Sequence, residues 1–517
     1  MGILTLVLVL PLVGAVAITL LDPQDTRSIR VGALVASLAT FVASLVVLAR
    51  FDTTVGGFQL QEQMAWIPTV DASYHVGVDG ISLVLLLLTT FLTPIVLIGD
   101  WDRADRVKGY VTSFLVLEAA VIGVFLSMDL LLFYVWWEVM LVPMYLIIGI
   151  WGGDNRRYAA VKFFLYTLLG GLLMLVAVLY VFSQTGSFSY QAAVEHGFGV
   201  TEQLWLFGAL LVAFAVKVPI FPVHTWLPDA HTEAPTGGSV ILAGVLLKMG
   251  AFGFLRYSLP IMPDATQQYA LGTGEGFFSV PWLLILAVVG ILYGAVVALV
   301  QKDIKRLVAY SSVSHMGFVV LGVFALNVTA TSAGVVQMIN HGLSTGALFL
   351  LVGFIYERRH TRQIAAFGGL AKQTPIYAGL FLVVALSSLA LPGLNGFTGE
   401  FPILLGTFQV ARWAGVLGAF GAVLAALYLL WAYQRMFHGP LEGADNENTS
   451  DLRWREIGVM VPLVVAIVAI GIYPKPLYDI VEPAVQTVLE QVGVGQVEAA
   501  DADGIRGTSP TTVTSQE

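Results

Sequence analysis

The chain has 517 residues, of which 57% belong to the apolar and aromatic set AVILMFWYC and 11% are charged, and its formal net charge is −9. Soluble domains carry about 25% charged residues, so a soluble globular protein is excluded. The absence of cysteine excludes disulfides, Cys-ligated zinc, thiolate-bound iron–sulfur clusters and covalently attached haem in this chain. No basic cluster suggests nucleic-acid binding.

Apolar stretches follow one another along almost the whole sequence. Since one bilayer crossing needs about 20 apolar residues, the sequence predicts an all-α polytopic membrane protein with about 14 transmembrane helices. Most of the 25 Lys and Arg residues fall in alternate connections, which predicts that both termini lie on the outer side. The predicted spans are 3–21, 31–49, 80–99, 110–127, 129–151, 159–183, 204–222, 238–258, 281–300, 305–326, 332–356, 376–409, 413–437 and 456–474.

Two of these stretches cannot be straight helices. The stretch 376–409 would measure roughly 51 Å as a helix, whereas the hydrocarbon core is about 30 Å thick. Pro392 and Gly393 stand at its centre, and Pro219 interrupts the stretch 204–222. The breaks are five spans apart, so equivalent helices have opposite orientations. This pattern predicts two inverted five-helix repeats, each with a broken helix; two unrelated proline kinks are the alternative.

The predicted organisation follows from these spans. The N-terminal spans 1–3 and the two repeats, made of spans 4–8 and 9–13, account for most of the chain. The polar loop 438–455 and the polar C-terminal tail are expected to lie outside the membrane, and the tail is expected to be largely disordered. The predicted segments are 1–109, 110–258 (first repeat), 281–437 (second repeat), 438–455 (cytoplasmic loop), 456–474 (last span) and 475–517 (tail).

Four ionisable residues lie inside predicted membrane spans, where a charge is costly: Glu138, Lys217, Lys248 and Glu400. Each costs about 2.5–3.5 kcal/mol at the bilayer centre on insertion scales. A buried Lys whose neighbouring carboxylate can approach and withdraw alternates between binding and releasing a proton, so Glu138 and Lys217 have the types for a proton relay. A static buried ion pair is the alternative. Glu118 is equally compatible with a path residue and with a packing contact.

Two histidines add groups that titrate nearer neutral pH. His315 and His341 lie on consecutive predicted spans, where they suit links in a proton path. Two alternatives remain open: ligands of a b-type haem, and hydrogen-bonded core histidines.

Four motifs together resemble the antiporter-like subunits of respiratory complex I, over residues 1–480. The family is shared with the large subunits of Mrp-type sodium/proton antiporters and of membrane-bound hydrogenases. Most members have Lys after the second break, and one type of subunit has Glu, as this sequence does at Glu400. The motifs are KVPIFPVHTWLPDAH from Lys217, Trp137-Glu138 followed by Pro143, SSVSHMG from Ser311, and LPGLNGFTGE from Leu391.

The resemblance implies a proton-translocating subunit of NADH:quinone oxidoreductase in a bacterial plasma (inner) membrane. It implies no cofactor in this chain, with NADH, FMN, Fe–S clusters and quinone bound by other subunits. The implied partners are the L- and N-type antiporter-like subunits, small membrane subunits and membrane lipids. The implied roles are Glu138 as the mobile partner of Lys217, Lys217 as the central proton carrier, Lys248, His315 and, less directly, His341 as links, and Glu400 as the outer terminal carrier. A cation/proton antiporter without redox partners and a structural membrane-arm spacer are the alternatives.

Overall fold

A computed structural model describes residues 2–103 and 105–494, and nearly all of its regular structure is helical. The helices are α1 Ile3–Thr19, α2 Thr26–Arg50, α3 Gly80–Gly99, α4 Val107–Leu126, α5 Leu130–Trp151, α6 Arg156–Thr185, α7 Tyr190–His196, α8 Val200–Lys217, α9 Trp226–Glu233, α10 Thr236–Ile261, α11 Pro263–Leu271, α12 Trp282–Leu299, α13 Ile304–Phe324, α14 Val328–Arg359, α15 Pro375–Ser388, α16 Asn395–Val410, α17 Arg412–Phe437, α18 Ala444–Glu447, α19 Trp454–Ile472 and α20 Lys475–Val492. Single 3-10 turns occupy Pro68–Val70, Gly276–Ser279, Ile364–Ala366 and Leu370–Lys372.

The predicted membrane spans correspond to helices of the structure. Within the described part of the chain, 12 helices are long and apolar enough to cross a membrane, and α1 and α15 are shorter apolar helices. An all-α membrane protein with about 14 spans is therefore confirmed. The sequence did not predict the small antiparallel hairpin of β1 (Gln59–Ile67) and β2 (Ala72–Val78), which lies between α2 and α3. We call the end of the helix bundle that carries this hairpin the hairpin face. The opposite end, whose connections carry Arg103, Lys302 and Arg362, is the basic face.

Both predicted helix breaks are present. Helix α8 ends at Lys217 and α9 begins at Trp226, whose indole N–H donates 2.8 Å to the Val216 carbonyl exposed at the break. Helix α15 ends at Ser388 and α16 begins at Asn395. Proline lacks the N–H that would continue either helix, and at the first break the Trp226 indole satisfies the exposed Val216 carbonyl.

The two halves use their broken helices in the same way. In the first half α6 packs against both α8 and α9, and in the second α14 packs against both α15 and α16. The halves meet where α10 packs against α14. The most apolar 18-residue windows of these two helices are completely buried, so the core lies along their contact.

Helix α10 contains two π-helical segments that the sequence did not predict. They span Leu242–Leu246 and Phe254–Ser258, with the α-helical turns Leu247–Gly253 between them. In a π-helix the hydrogen bonds run to the fifth residue, and such segments occur frequently at functional sites. Lys248 lies in the segment between them.

The prediction that the tail 475–517 is largely disordered was wrong for the first part of this range. Residues Lys475–Val492 form α20, which packs across the hairpin face against α3 and α14. The predicted tail 475–517 is polar overall, but the apolar residues of α20 recur every three or four positions and form one buried face. The remainder of the predicted tail, 495–517, lies outside the described residues. The buried face consists of Val481, Ala484, Val485, Val488, Leu489 and Val492.

A buried ion pair ties α10 to the start of α3. The Asp79 carboxylate caps α3 by accepting from Ser82 N at 2.9 Å, and it lies 2.7 Å from an Arg256 guanidinium nitrogen. Both side chains are 4% exposed.

We expect Asp79→Asn to destabilise the protein by about 3–5 kcal/mol, because it leaves the Arg256 charge buried without its partner. Thermal unfolding of the purified protein measures this loss, with the exposed Asp22→Asn as the control. The double variant Asp79→Asn/Arg256→Met is expected to recover part of the stability. An unchanged unfolding temperature for Asp79→Asn would show that the pair does not hold these helices together.

Candidate proton path

Lys217 is buried at the last turn of α8, and no carboxylate of the described residues lies within 4 Å of its side-chain nitrogen. Its side-chain nitrogen lies 3.7 Å from Met140 Sδ, 5.0 Å from the centre of the Trp137 ring and 5.7 Å from that of Phe163. The residue is 1% exposed. Aromatic faces attract an ammonium group, but they replace an ion pair only in part.

Glu138 lies near Lys217 but is not paired with it. It stands just before Met140, where α5 is interrupted, and no ion pair within 4 Å joins it to any described residue. Its buried Oε1 has no hydrogen-bond partner among residues 2–103 and 105–494, and it lies against Gly171 of α6, where a Cβ would overlap it. A static Glu138–Lys217 ion pair, the alternative to a relay, is therefore absent from this conformation.

The end of α8 packs directly on α10. A Cβ at Gly250 would lie 2.6 Å from the Phe214 carbonyl oxygen, so only glycine permits this approach. Lys217 is thereby held beside the helix that carries Lys248.

Lys248 joins the two halves of the protein. Its side-chain nitrogen donates to the Ala243 carbonyl in the first π-helical segment and lies 2.7 Å from His341 Nδ1 on α14. The lysine is 0% exposed. Close approach of the helices depends on glycine, since a Cβ at Gly342 would lie 2.8 Å from Gly244 O.

We expect Gly342→Val to weaken the Lys248–His341 contact, because the added methyl groups force α14 away from α10. Overpacking of this kind costs about 1–3 kcal/mol. Proton pumping and thermal stability should both fall, whereas Gly379→Val, where no atom lies within 4 Å of the added Cβ, should change neither. Normal pumping by Gly342→Val would contradict the importance of this contact.

The contacts continue from His341 to Glu400. The His341 and His315 ring centres are 6.0 Å apart, and both rings border a small cavity lined mainly by Ser, Thr, Asn and Gln side chains. His315 Nδ1 lies 2.6 Å from Glu400 Oε1. The path residues Lys248, His341, His315 and Glu400 thus form one buried row that passes from α10 through α14 and α13 to α16.

Two further side chains hold the end of this row. Tyr428 OH lies 3.1 Å from His315 Nε2, and Gln337 Nε2 donates 2.9 Å to Glu400 Oε1. Neither residue was among the predicted site residues, although Gln337 lies one helical turn before His341. Both nitrogens of His315 have polar partners, which favours a hydrogen-bonded role for this residue over ligation of a haem iron.

Two further buried ionisable residues, Glu118 and His231, are not part of the row. Glu118 is 2% exposed, lies beside the Thr93 hydroxyl, and has no hydrogen bond to the row. His231 on α9 was not among the predicted site residues, although it belongs to the motif that begins at Lys217. Its ring stacks on Phe349 with the ring centres 4.6 Å apart, and neither ring nitrogen has a hydrogen-bond partner in the part of the chain that the structure describes.

Inverted halves with broken helices and a buried row of ionisable side chains define a membrane protein of the antiporter-like class. The family described as NADH:quinone oxidoreductase/Mrp antiporter, transmembrane, matches residues 127–425. The chain belongs to this family, and its curated relatives include M subunits of NADH-quinone oxidoreductases and chain 4 of an NADH-ubiquinone oxidoreductase.

Three relatives match almost the whole chain. Subunit M of the NADH-quinone oxidoreductase of Rhodobacter capsulatus is 43% identical over 95% of this chain and 96% of its own length. Subunit M of Rickettsia typhi is 40% identical over 94% of this chain and 98% of its own. Chain 4 of the NADH-ubiquinone oxidoreductase of Marchantia polymorpha is 41% identical over 93% of this chain and 96% of its own length.

Solved structures share the fold. A chain of respiratory complex I from Thermus thermophilus superposes with a TM-score of 0.85 at 31% identity, covering 95% of this chain and 100% of that one. A chain of an archaeal membrane-bound sulfane sulfur reductase gives a TM-score of 0.80 at 25% identity, covering 90% of this chain and 76% of that one. A chain of the Mrp complex from Dietzia sp. gives a TM-score of 0.81 at 20% identity, covering 95% of this chain and 99% of that one. This likeness supports the fold alone.

Proposed function

We propose that this chain is the proton-translocating membrane-arm subunit of a bacterial NADH:quinone oxidoreductase. NADH oxidation and quinone reduction in other subunits drive protons through its buried row, which makes the complex a translocase. The observation that carries this proposal is the set of contacts from Lys248 through His341 and His315 to Glu400, in the membrane core of a chain from this family.

Each path residue has a distinct role in this proposal. Lys217 is the central carrier, and Glu138 is the mobile carboxylate whose approach favours the charged form of Lys217 and whose withdrawal favours proton release. The observed separation of Glu138 from Lys217 corresponds to the withdrawn arrangement. Lys248, His341 and His315 link the two halves, and Glu400 is the terminal carrier.

The proposed orientation places the basic face in the cytoplasm and both termini outside a bacterial plasma membrane. Support comes from the Lys and Arg residues in the connections on that face, which include Arg103, Arg157, Lys302, Arg362 and Lys372. The Fe–S clusters are assigned to other subunits, since a chain without cysteine offers them no thiolate. NADH, FMN and quinone are assigned to those subunits as well. The proposed neighbours are the L- and N-type subunits and small membrane subunits.

Pumping by membranes with Glu138→Gln or Lys217→Ala tests the proposal. Both variants should lose proton pumping while NADH oxidation by an artificial acceptor stays near normal, and the exposed Lys372→Ala is the control. Full pumping with normal assembly would favour a structural spacer instead.

Purification of the native complex provides a separate test. Recovery of the chain with NADH-oxidising subunits is expected. Their absence from an intact complex would favour a cation/proton antiporter without redox partners.

A further inference from the structure

An apolar groove of about 240 Å³ lies between α2, α3, α14, α19 and α20. All of its lining residues are apolar, and it reaches the surface at Leu45 of α2, which is 41% exposed. Helices α2, α3 and α19 are each long and apolar enough to cross a membrane. The groove therefore faces lipid, and water entering it would find no hydrogen-bonding partners along its walls.

The groove extends from the hairpin face to the middle of the membrane. Near the hairpin face it is bordered by Leu48 of α2 and Leu477 of α20. Its deep end lies at Phe41 and Phe91, whose ring centres are 5.9 Å apart. Phe41 is nine residues from the end of α2 and Phe91 eleven from the start of α3, or about 14–16 Å along each helix. Since the hydrocarbon core is about 30 Å thick, the groove has the depth of one leaflet.

The inner wall of the groove belongs to α14. Ile339 and Leu343 line it and are 7% and 3% exposed. They are four positions apart and share one side of the helix, whereas His341 between them points to the other side. The most apolar 18-residue window of α14 is completely buried, so lipid outside the protein reaches this helix only through the groove.

The size of the groove decides between two kinds of apolar occupant. A 15 Å length of α-helix about 10 Å across occupies roughly 1,200 Å³, several times the volume of the groove. Leu477 and Ile480 of α20 also cover its end at the hairpin face, which blocks a helix that would cross the whole membrane. A single flexible hydrocarbon chain fits both the volume and the depth.

A positive charge stands where the groove meets the hairpin face. Arg50 is the last residue of α2, two positions after Leu48, and it is exposed. It forms no ion pair within 4 Å with any residue of 2–103 or 105–494. Lys475, by contrast, is paired with Asp479 at 2.7 Å. A guanidinium group without a carboxylate suits a phosphate group.

We propose that this groove binds one phospholipid of the leaflet at the hairpin face. One acyl chain fills the groove as far as Phe41 and Phe91 and packs against Ile339 and Leu343. The phosphate group lies at Arg50. The bound lipid thereby supports α14 on the side opposite His341, and its binding does not depend on the proposed function.

A phosphatidylglycerol that carries a photoactivatable diazirine at the end of one acyl chain tests this site. The purified complex that contains this chain is reconstituted with the probe and irradiated, and mass spectrometry locates the labelled peptides. The α14 peptide with Ile339 and Leu343 should be labelled. The labelling should saturate with probe concentration, and unlabelled phosphatidylglycerol should compete with it.

Two substitutions test the two parts of the site. Leu45→Trp places an indole in the groove and should abolish labelling of α14, whereas Leu172→Trp, at a 48% exposed position of α6, should leave it unchanged. Arg50→Gln should raise the probe concentration for half-saturation by about tenfold, the low end for a hydrogen bond between charged partners. Arg27→Gln, at the other end of α2, is its control.

Three results would overturn the proposal. Labelling of α2 and α6 without labelling of α14 would show that the groove takes up no acyl chain, as would happen if a neighbouring subunit fills it. Labelling of α14 that Leu45→Trp leaves unchanged would place the chain elsewhere. Competition by a quinone with an isoprenoid tail, but not by phosphatidylglycerol, would assign the groove to another membrane molecule.

Discussion

Glu400→Gln is expected to lower proton pumping and coupled quinone reduction by about 100-fold, while NADH oxidation by an artificial acceptor stays near normal. The amide keeps the shape of the carboxyl group and can still bond to His315 and Gln337, but it cannot take up and release a proton. Glu400 lies 2.6 Å from His315 Nδ1 and is 1% exposed, so bulk water does not replace its carboxyl group beside this histidine.

The control for this substitution is Glu195→Gln, which makes the same change on the exposed short helix α7. Loss of both coupled and artificial-acceptor activities in Glu400→Gln would indicate failed assembly. Normal pumping in a fully assembled complex would remove Glu400 from the path.

Lys248→Arg should be as defective in pumping as Lys248→Met, each by about 100-fold. Arg keeps the positive charge beside His341 but does not release its proton in proteins. A static charge that only holds α10 against α14 would tolerate Arg better than Met. The comparison therefore distinguishes a proton carrier from a structural cation.

Proton pumping and thermal stability should be measured together for these two variants. We expect Lys248→Arg to be the more stable of the two, because it can still donate to the Ala243 carbonyl. Substantial pumping by Lys248→Arg would show that Lys248 acts through its charge and not through proton transfer.

The spans and their breaks could be predicted because both depend on local sequence. Runs of apolar residues fix the membrane crossings, and Pro219 and Pro392 remove the donors that a continuous helix needs. The helix α20 was missed because the predicted disorder rested on overall composition, whereas the apolar face of α20 is visible only at the helical period.

The residue types of the candidate path could also be predicted, since charges inside apolar spans are conspicuous. The contacts between them could not be predicted, since they join residues far apart in sequence. Tyr428 and His315, for example, are separated by 113 positions. The π-helical segments of α10 leave no recognisable pattern in the sequence, although one of them supplies the carbonyl that holds Lys248.

Proton translocation per NADH oxidised, measured in proteoliposomes for Lys217→Ala, Glu400→Gln and the double variant, tests the path most directly. Residues that act as one unit are strongly non-additive. If Lys217 and Glu400 belong to a single path, the double variant should pump no less than the more defective single variant. A loss in the double variant equal to the product of the two single losses would mean that the two residues contribute independently and do not act as one unit. An undiminished number of protons moved per NADH in all three variants would mean that protons do not pass through this row.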